Sequence, residues 1–388
     1  MPLPQGILDS SLDAIGQTPL VRLQRIADAE GLKCNLLAKL EFLSVGGSLK
    51  DRIAKRMVEE AERTGRLVPG KTTVIEATSG NTGIGLGLVC ALKGYPLIIT
   101  LPAKMSLEKE ATLRALGAEI IRTPTEAAFD SPESHIGVAK RLQQRIPDSV
   151  ILDQYTNLDN PLAHELTTGP EIIDAIVSDY GSHSATSRKS TGMVDVLVVG
   201  AGTGGTITGC SHSVKAHNPD CLVIGVDPVS CCVQPSSAVI LNGSATWTQQ
   251  KGSILAYPDS LNKSTDSPIY QVEGIGYDFI PKVLDRFAPT VDKWLKIGDE
   301  EAFPAAMRLI KEEALLVGGS SGTALAGTLK WLREEGKSLA QTEGKNVVVI
   351  LPDGIRNYMS KPWFLESATQ EKETTLARVI KQALEKND

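Results

Sequence analysis

The chain has 388 residues, 41% hydrophobic and 22% charged, with a net charge of −6. This is ordinary composition for a soluble globular enzyme, and the length allows two domains with a sizeable core. The acidic balance argues against a general affinity for nucleic acid or anionic membrane, and the apolar runs are far too short to span a bilayer.

In chain order, a turn at residues 15–19 leads into a short strand at 20–23, and residues 36–41 form the next strand. That strand feeds Gly46-Gly47-Ser48-Leu49-Lys50-Asp51-Arg52, a tight turn that opens a helix. Leu49, Ile53, Ala54, Met57, Val58 and Ala61 recur at helical spacing, and Gly65 is a natural stop. Lys50 thus falls in the first turn, where the positive end of the helix dipole disfavours a cation. The same field lowers its pKa, and a neutral lysine is a nucleophile that forms a Schiff base with an aldehyde. A surface lysine beside Asp51 and Arg52 is the competing reading.

Residues 72–76 are β-rich and run into Ala77-Thr78-Ser79-Gly80-Asn81-Thr82-Gly83, with a helix over 84–93. A strand at 97–101, a helix at 108–116 and a strand at 119–122 continue an alternation that predicts a parallel sheet. A helix opens at His135 and runs to Arg145, and the strand 151–152 ends at Asp153-Gln154-Tyr155. Residues 181–192 read as a flexible surface connection, 194–199 as the strongest strand and 222–227 as another buried strand. The polar, aperiodic stretch 229–251 reads as a surface insertion. A helix over 301–314, a strand at 315–317, a helix to Glu335 and a last core strand at 346–351 complete the pattern. In the tail, Leu376, Val379, Ile380, Ala383 and Leu384 make an amphipathic stripe that must bury against something.

Three further glycine-rich turns join a strand to a helix and present backbone N–H groups to an anion. Thr78–Gly83 suits a carboxylate. Gly200, Gly202 and Gly205 spell G-x-G-x-x-G after a strand, with Asp227 ending the next strand, which fits either a dinucleotide or a single phosphomonoester. Gly318-Gly319-Ser320-Ser321-Gly322 is the third. The six cysteines lack metal-site spacing and the N-terminus lacks a secretory pattern, so the expectation is no metal and a cytoplasmic location. The five histidines, His135, His164, His183, His212 and His217, read as structural or surface residues.

Together the four turns resemble the lysine, substrate, phosphate and pyridine loops of the β family of pyridoxal-phosphate enzymes, with the tryptophan synthase β-type fold. Phe129–His135, Leu152–Tyr155, Val272–Pro281, Ile350–Asp353 and Arg356–Met359 resemble the members that join serine to homocysteine. The resemblance runs from about residue 7 to about 365. It implies an α/β fold of type II, with two open twisted, mostly parallel sheets flanked by helices. Residues 1–41 and 187–368 would form the large cofactor domain and 42–186 the smaller substrate domain. The chain would carry the surface insertion 229–251, an amphipathic tail at 369–388 and no C-terminal regulatory domain. Met1–Leu8 has neither Cys nor His, so no haem is expected.

The resemblance also implies roles. Lys50 would hold pyridoxal 5'-phosphate and move the α-proton. Gly202, Thr203, Gly204, Gly205 and Thr206 would hold its phosphate, Asn81 its phenolic oxygen and Ser320 its pyridine nitrogen. Thr78, Ser79, Gly80, Thr82 and Gln154 would bind the substrate carboxylate. Tyr155, Gly274, Gly276 and Tyr277 would shape the homocysteine side, with Tyr155 and Tyr277 assisting catalysis. A hydroxyl at Ser320 makes the ring a poorer electron sink than a carboxylate would, favouring β-elimination over transamination. The implied reaction is serine plus homocysteine to cystathionine and water, with cysteine as a second donor releasing hydrogen sulfide, in a homodimer acting on free amino acids. An O-acetylserine-dependent cysteine synthase, a nicotinamide oxidoreductase built on Gly200–Gly205 and Asp227, and a non-catalytic binding subunit remain as rivals.

Overall fold

Strand β1 (Leu20–Arg22) leads through α1 (Gln24–Ala29) to β2 (Asn35–Leu40), and a short turn carries the chain into α2 (Lys50–Arg63). Next come β3 (Thr73–Ala77), α3 (Asn81–Lys93), β4 (Leu97–Pro102), α4 (Leu107–Ala115), β5 (Glu119–Thr123), α5 (His135–Arg145) and β6 (Ser149–Ile151). Helix α6 (Asp159–Ala163), a π-helical turn (His164–Thr168) and α7 (Gly169–Gly181) follow one another without a break. Then β7 (Val196–Gly200), α8 (Gly205–His217) and β8 (Leu222–Pro228) form a strand–helix–strand unit. The chain continues with β9 (Lys293–Ile297), α9 (Asp299–Glu313), α10 (Gly319–Arg333), α11 (Lys337–Ala340) and β10 (Asn346–Leu351), and α12 (Pro362–Thr369) and α13 (Thr375–Glu385) come last. This computed structural model describes residues 6–78, 80–103, 105–124, 127, 129–181, 189–229, 253–262, 270–370 and 374–385.

Two mostly parallel sheets result, each flanked by helices. The larger has the order β1-β2-β10-β7-β8-β9, and the smaller β5-β4-β3-β6. Among the described residues only β1 runs antiparallel, against β2. Every residue of β2 and β10 is buried, as strands covered on both faces require, and apart from Asn35, Lys39 and Asn346 they are apolar. The register pairs Leu351 with Leu40, so the two strands leave the larger sheet side by side. Helix α2 buries Ile53, Ala54, Met57, Val58 and Ala61 in the core of the smaller sheet, each large apolar side chain contributing ~1.5–3 kcal/mol. Gly85 lets α3 approach closely: a Cβ there would lie 2.9 Å from both the Ala54 Cβ and the Lys50 carbonyl oxygen.

Most predicted elements recur within a few residues, but two expectations fail. Residues 315–317 form no strand, and only an isolated bridge joins Val317 to Gly354. The tail stripe lies on α13, yet Leu376, Val379, Ile380 and Leu384 are exposed, so this face is not buried among the described residues. Helices α1, α6, α7 and α12 and strand β9 were not anticipated. The predicted insertion lies outside the described residues except for Val229, as do 182–188 of the predicted connection.

Candidate active site

The sites of interest follow the C-terminal ends of parallel strands, where open α/β sheets form their crevices. The lysine turn follows β2, the Thr78–Gly80 turn follows β3, the glycine loop follows β7, and Pro352–Gly354 follows β10. Backbone bonds lock the first to the last: Leu49 N donates to Pro352 O at 2.9 Å, and Gly354 N to Gly47 O at 3.2 Å. Inside the lysine turn Gly46 N donates to Asp51 Oδ2 at 2.7 Å and Lys50 N to Ser48 Oγ at 3.2 Å.

Lys50 is the first residue of α2, as its spacing predicts. Its amine opens on the cleft while protein packs around it. Burial, with Asp353 and Glu41 opposing, pushes its pKa down to about 8. The lowered pKa was expected, but its leading cause is loss of water rather than the helix dipole.

Two residues on, Arg52 anchors the helix start. It grips Glu41 through Nε at 2.7 Å and Nη2 at 2.8 Å, and Glu171 through both terminal nitrogens at 2.7 Å. Lys39 Nζ adds a 2.6 Å bond to Glu171, and Thr18 Oγ1 one of 2.6 Å to Glu41. Burial alone would raise the pKa of Glu41, but Arg52 outweighs it and holds the carboxyl at about 2. This network ties β2, α2 and α7 together beneath the lysine.

Across the cleft, Asn81 begins α3. Its Nδ2 donates to Asp353 Oδ2 at 2.7 Å and its Oδ1 accepts from Asn357 Nδ2 at 3.0 Å. These partners fix the amide orientation and leave one N–H for the cleft. Thr82 Oγ1 donates to Gln154 Oε1 at 2.7 Å, while Gln154 Nε2 donates to Ala77 O at 3.1 Å. Thr78 is buried and its Oγ1 accepts from Gly80 N at 3.1 Å.

The glycine loop wraps the start of α8. Gly204 has φ +88°, a left-handed conformation that glycine adopts without strain and that turns backbone N–H groups toward an anion. Asn160 Nδ2 donates to Thr203 Oγ1 at 2.9 Å. His164 lies between Thr206 Oγ1 at 3.1 Å and Thr168 Oγ1 at 2.9 Å. Burial pushes this histidine down to about 3, so it stays neutral, one ring nitrogen donating and the other accepting. Asp227, the expected ribose ligand of a dinucleotide, is fully buried instead. Lys296 Nζ donates to it at 2.7 Å, Ala256 N at 3.1 Å, and Ser253 Oγ also donates. That occupied carboxylate removes the oxidoreductase reading.

One cleft joins these parts. Lys50, Asn81, Thr82 and Gln154 line one side; Gly202, Thr203, Gly204 and Thr206 line the base; Gly274, Tyr277 and Ser320 complete it. Gly80, Gly205 and Gly276 adjoin lining residues in sequence without lining the cleft themselves, Thr78 does not line it either, and Ser79 lies outside the described residues. Tyr155 lines a neighbouring cavity of about 490 Å³ with Phe129, Phe279 and Ile280. It meets the cleft residue Tyr277 edge-on, with ring centroids 5.4 Å apart. Sequence reasoning gave no role to Asp353, Asn357, Asn160 or His164. Asp353 and Asn357 carried a signal, within the Ile350–Asp353 and Arg356–Met359 stretches of the resemblance.

The donor set fits pyridoxal phosphate: an amine of lowered pKa for its aldehyde, a left-handed glycine loop at a helix start for its phosphate, an amide N–H for its phenolic oxygen and a hydroxyl for its ring nitrogen. The chain belongs to the pyridoxal-phosphate dependent enzyme family, whose pattern matches residues 11–353. It is 51% identical to the cystathionine beta-synthase of Mus musculus over 376 residues, which cover 96% of this chain and 59% of that protein. The cystathionine beta-synthase of Dictyostelium discoideum is also 51% identical, over 92% of this chain and 61% of its own length. Thus the chain spans about three-fifths of the length of these curated relatives. The crystal structure of the O-acetylserine dependent cystathionine beta-synthase from Helicobacter pylori aligns with a TM-score of 0.71 and 33% identity, covering 93% of this chain and 100% of that one. No described helix is long and apolar enough to cross a membrane.

Proposed function

We propose that the chain catalyses a pyridoxal-phosphate-dependent β-replacement that converts L-serine and L-homocysteine to L-cystathionine and water. Cysteine serves as a second donor, releasing hydrogen sulfide. The observation that carries this is the 51% identity to cystathionine beta-synthases over more than nine-tenths of the chain. The cleft around Lys50 supports it. Pyridoxal phosphate supplies the aldehyde that captures the substrate amine and the ring that withdraws electrons from its α-carbon. Lys50, Asn81, Gly202, Thr203, Gly204, Gly205, Thr206 and Ser320 would hold it.

The protein's own groups do the rest. Lys50 Nζ, whose pKa burial lowers to about 8 so that the amine is neutral above that pH, takes the α-proton and later returns it. Thr78, Ser79, Gly80, Thr82 and Gln154 bind the amino-acid carboxylate. Hydroxide leaves serine only with a proton, so a donor near the β-carbon is needed. Burial, with Tyr277 beside it, holds the Tyr155 phenol well above its ordinary pKa, so it stays protonated as a donor requires. Tyr155, Gly274, Gly276 and Tyr277 would border the second amino acid. A large cofactor domain at 1–41 and 187–368, a smaller substrate domain at 42–186 and a homodimer belong to the same reading and rest on family resemblance, and a cytoplasmic location goes with it.

O-acetylserine as the preferred donor is the second reading, favoured by the Helicobacter pylori structure. Serine labelled with ¹³C at the β-carbon tests the first. With homocysteine, the label should appear in cystathionine; its absence from the thioether, with serine unconsumed, would overturn the proposal.

A further inference from the structure

Glu76 is buried near the end of β3, two residues before Thr78 and outside the cleft of Lys50. Its Oε2 accepts from Asp153 N and its Oε1 from Gln154 N, both at 3.0 Å. The turn it grips is one that a side chain adopts reluctantly, with Asp153 at φ +58°. Gln154 leaves this turn to bond Thr82 and the Ala77 carbonyl, and its own carbonyl accepts from Asn160 Nδ2 at 2.7 Å. Tyr155 follows, with its N–H on Asp153 Oδ1 at 3.1 Å. One carboxylate therefore links the strand that delivers Thr78 to Thr82 with the turn that delivers Gln154 and Tyr155.

That carboxylate is costly where it stands. Burial pushes its pKa up to about 8, with Asp153 adding to the rise and the backbone N–H groups of Gln154 and Asp153 opposing it, so the ionised form that accepts both bonds prevails above that pH. A hydrophobic residue would fill a strand interior at lower cost. What a leucine cannot do is accept two adjacent backbone N–H groups and hold a left-handed turn against relaxation.

We propose that Glu76 is a positioning residue for the amino-acid substrate: its carboxylate clamps the Asp153–Tyr155 turn so that Gln154 faces the Thr78–Thr82 loop. The proposal rests on the reading that this loop and Gln154 hold the substrate carboxylate. Glutamine in place of Glu76 keeps the volume but offers one oxygen and an NH₂, which sets a donor against one backbone N–H.

The test compares the cofactor-loaded wild type with Glu76→Gln above pH 8, where Glu76 is ionised. Amide hydrogen exchange at Asp153 and Gln154 should quicken about tenfold in the variant, while amides of α8 stay unchanged. The serine concentration giving half-maximal rate should rise about tenfold with kcat within about threefold, so that high serine rescues the variant. Unchanged exchange at the two amides would overturn the clamp. Faster exchange with an unchanged KM, or a fall confined to kcat with general loss of amide protection, would overturn the positioning role. A wild-type protein inactive on serine would instead contradict the functional reading, and the amide exchange would still decide whether Glu76 holds the turn.

Discussion

Asn81 Nδ2 donates to Asp353 Oδ2 at 2.7 Å, tying the turn after β3 in the smaller sheet to the turn after β10 in the larger one. Tyr358 OH also donates to this carboxylate, while Asp353 Oδ1 is buried without a hydrogen-bond partner. The same charge opposes the lowering of the Lys50 pKa. Asp353 therefore has two effects on the cleft, through the orientation of one amide and the protonation of one amine.

Asp353→Asn separates those effects. Removing a negative charge that favours the ammonium makes Lys50 neutral at lower pH. In the cofactor-free protein, covalent capture of the aldehyde, followed by absorbance, should rise with pH around a midpoint near 8 in the wild type. The variant's midpoint should move down. Cofactor affinity should also weaken by ~1.4 kcal/mol, about tenfold, as the amide loses its charged acceptor. A midpoint that moves up would refute the electrostatic assignment.

Lys50→Ala should fold and bind cofactor without a covalent bond. Borohydride then fixes no cofactor to the chain, whereas in the wild type mass spectrometry finds it on the peptide containing Lys50. Turnover beyond a trace would show that another group moves the proton.

Arg52→Met should destabilise the protein by ~3–5 kcal/mol, because Glu41 and Glu171 lose the cation that compensates their burial. Arg52→Lys keeps the charge but loses the two-sided fork, so it should cost less than the methionine variant while remaining below wild type. Denaturant midpoints at constant m-value measure both. An Arg52→Met protein as stable as wild type would mean that the network contributes nothing net.

Ser320→Asp places a carboxylate where the cleft holds a hydroxyl at the start of α10. On the proposed reading it keeps the ring nitrogen protonated, alters the cofactor absorbance in the presence of serine and slows replacement. Identical spectra and turnover would show that Ser320 does not touch the ring.

The core strands were legible because β7, β8 and β10 are buried, largely apolar runs bounded by polar turns, and β2 carries a single charge, Lys39. Strand β9 escaped because Lys293 and Lys296 interrupt its apolar pattern; in the fold Lys296 is neutralised by Asp227. Residues 315–317 look equally apolar but pair only through one bridge, since strand formation needs a neighbouring edge as well as a sequence. At the candidate site, Lys50, Asn81, Thr203 and Ser320 lie on turns marked by glycine and hydroxyl residues, so local pattern singled out the turns, while the roles of these residues came from the family resemblance. Asp353, Asn160 and His164 act through partners 272, 43 and 42 residues away, and no local spacing announces such pairs. The tail helix was anticipated from its stripe, but a stripe cannot say what covers it.

The most direct measurement sets serine and O-acetylserine side by side, each with homocysteine and with sulfide, and compares kcat/KM for the four pairs. Serine with homocysteine should give cystathionine at a rate that exceeds cysteine formation from O-acetylserine and sulfide. If cysteine from O-acetylserine and sulfide forms far faster than cystathionine from serine, the chain is a cysteine synthase and the account given for its second substrate is wrong.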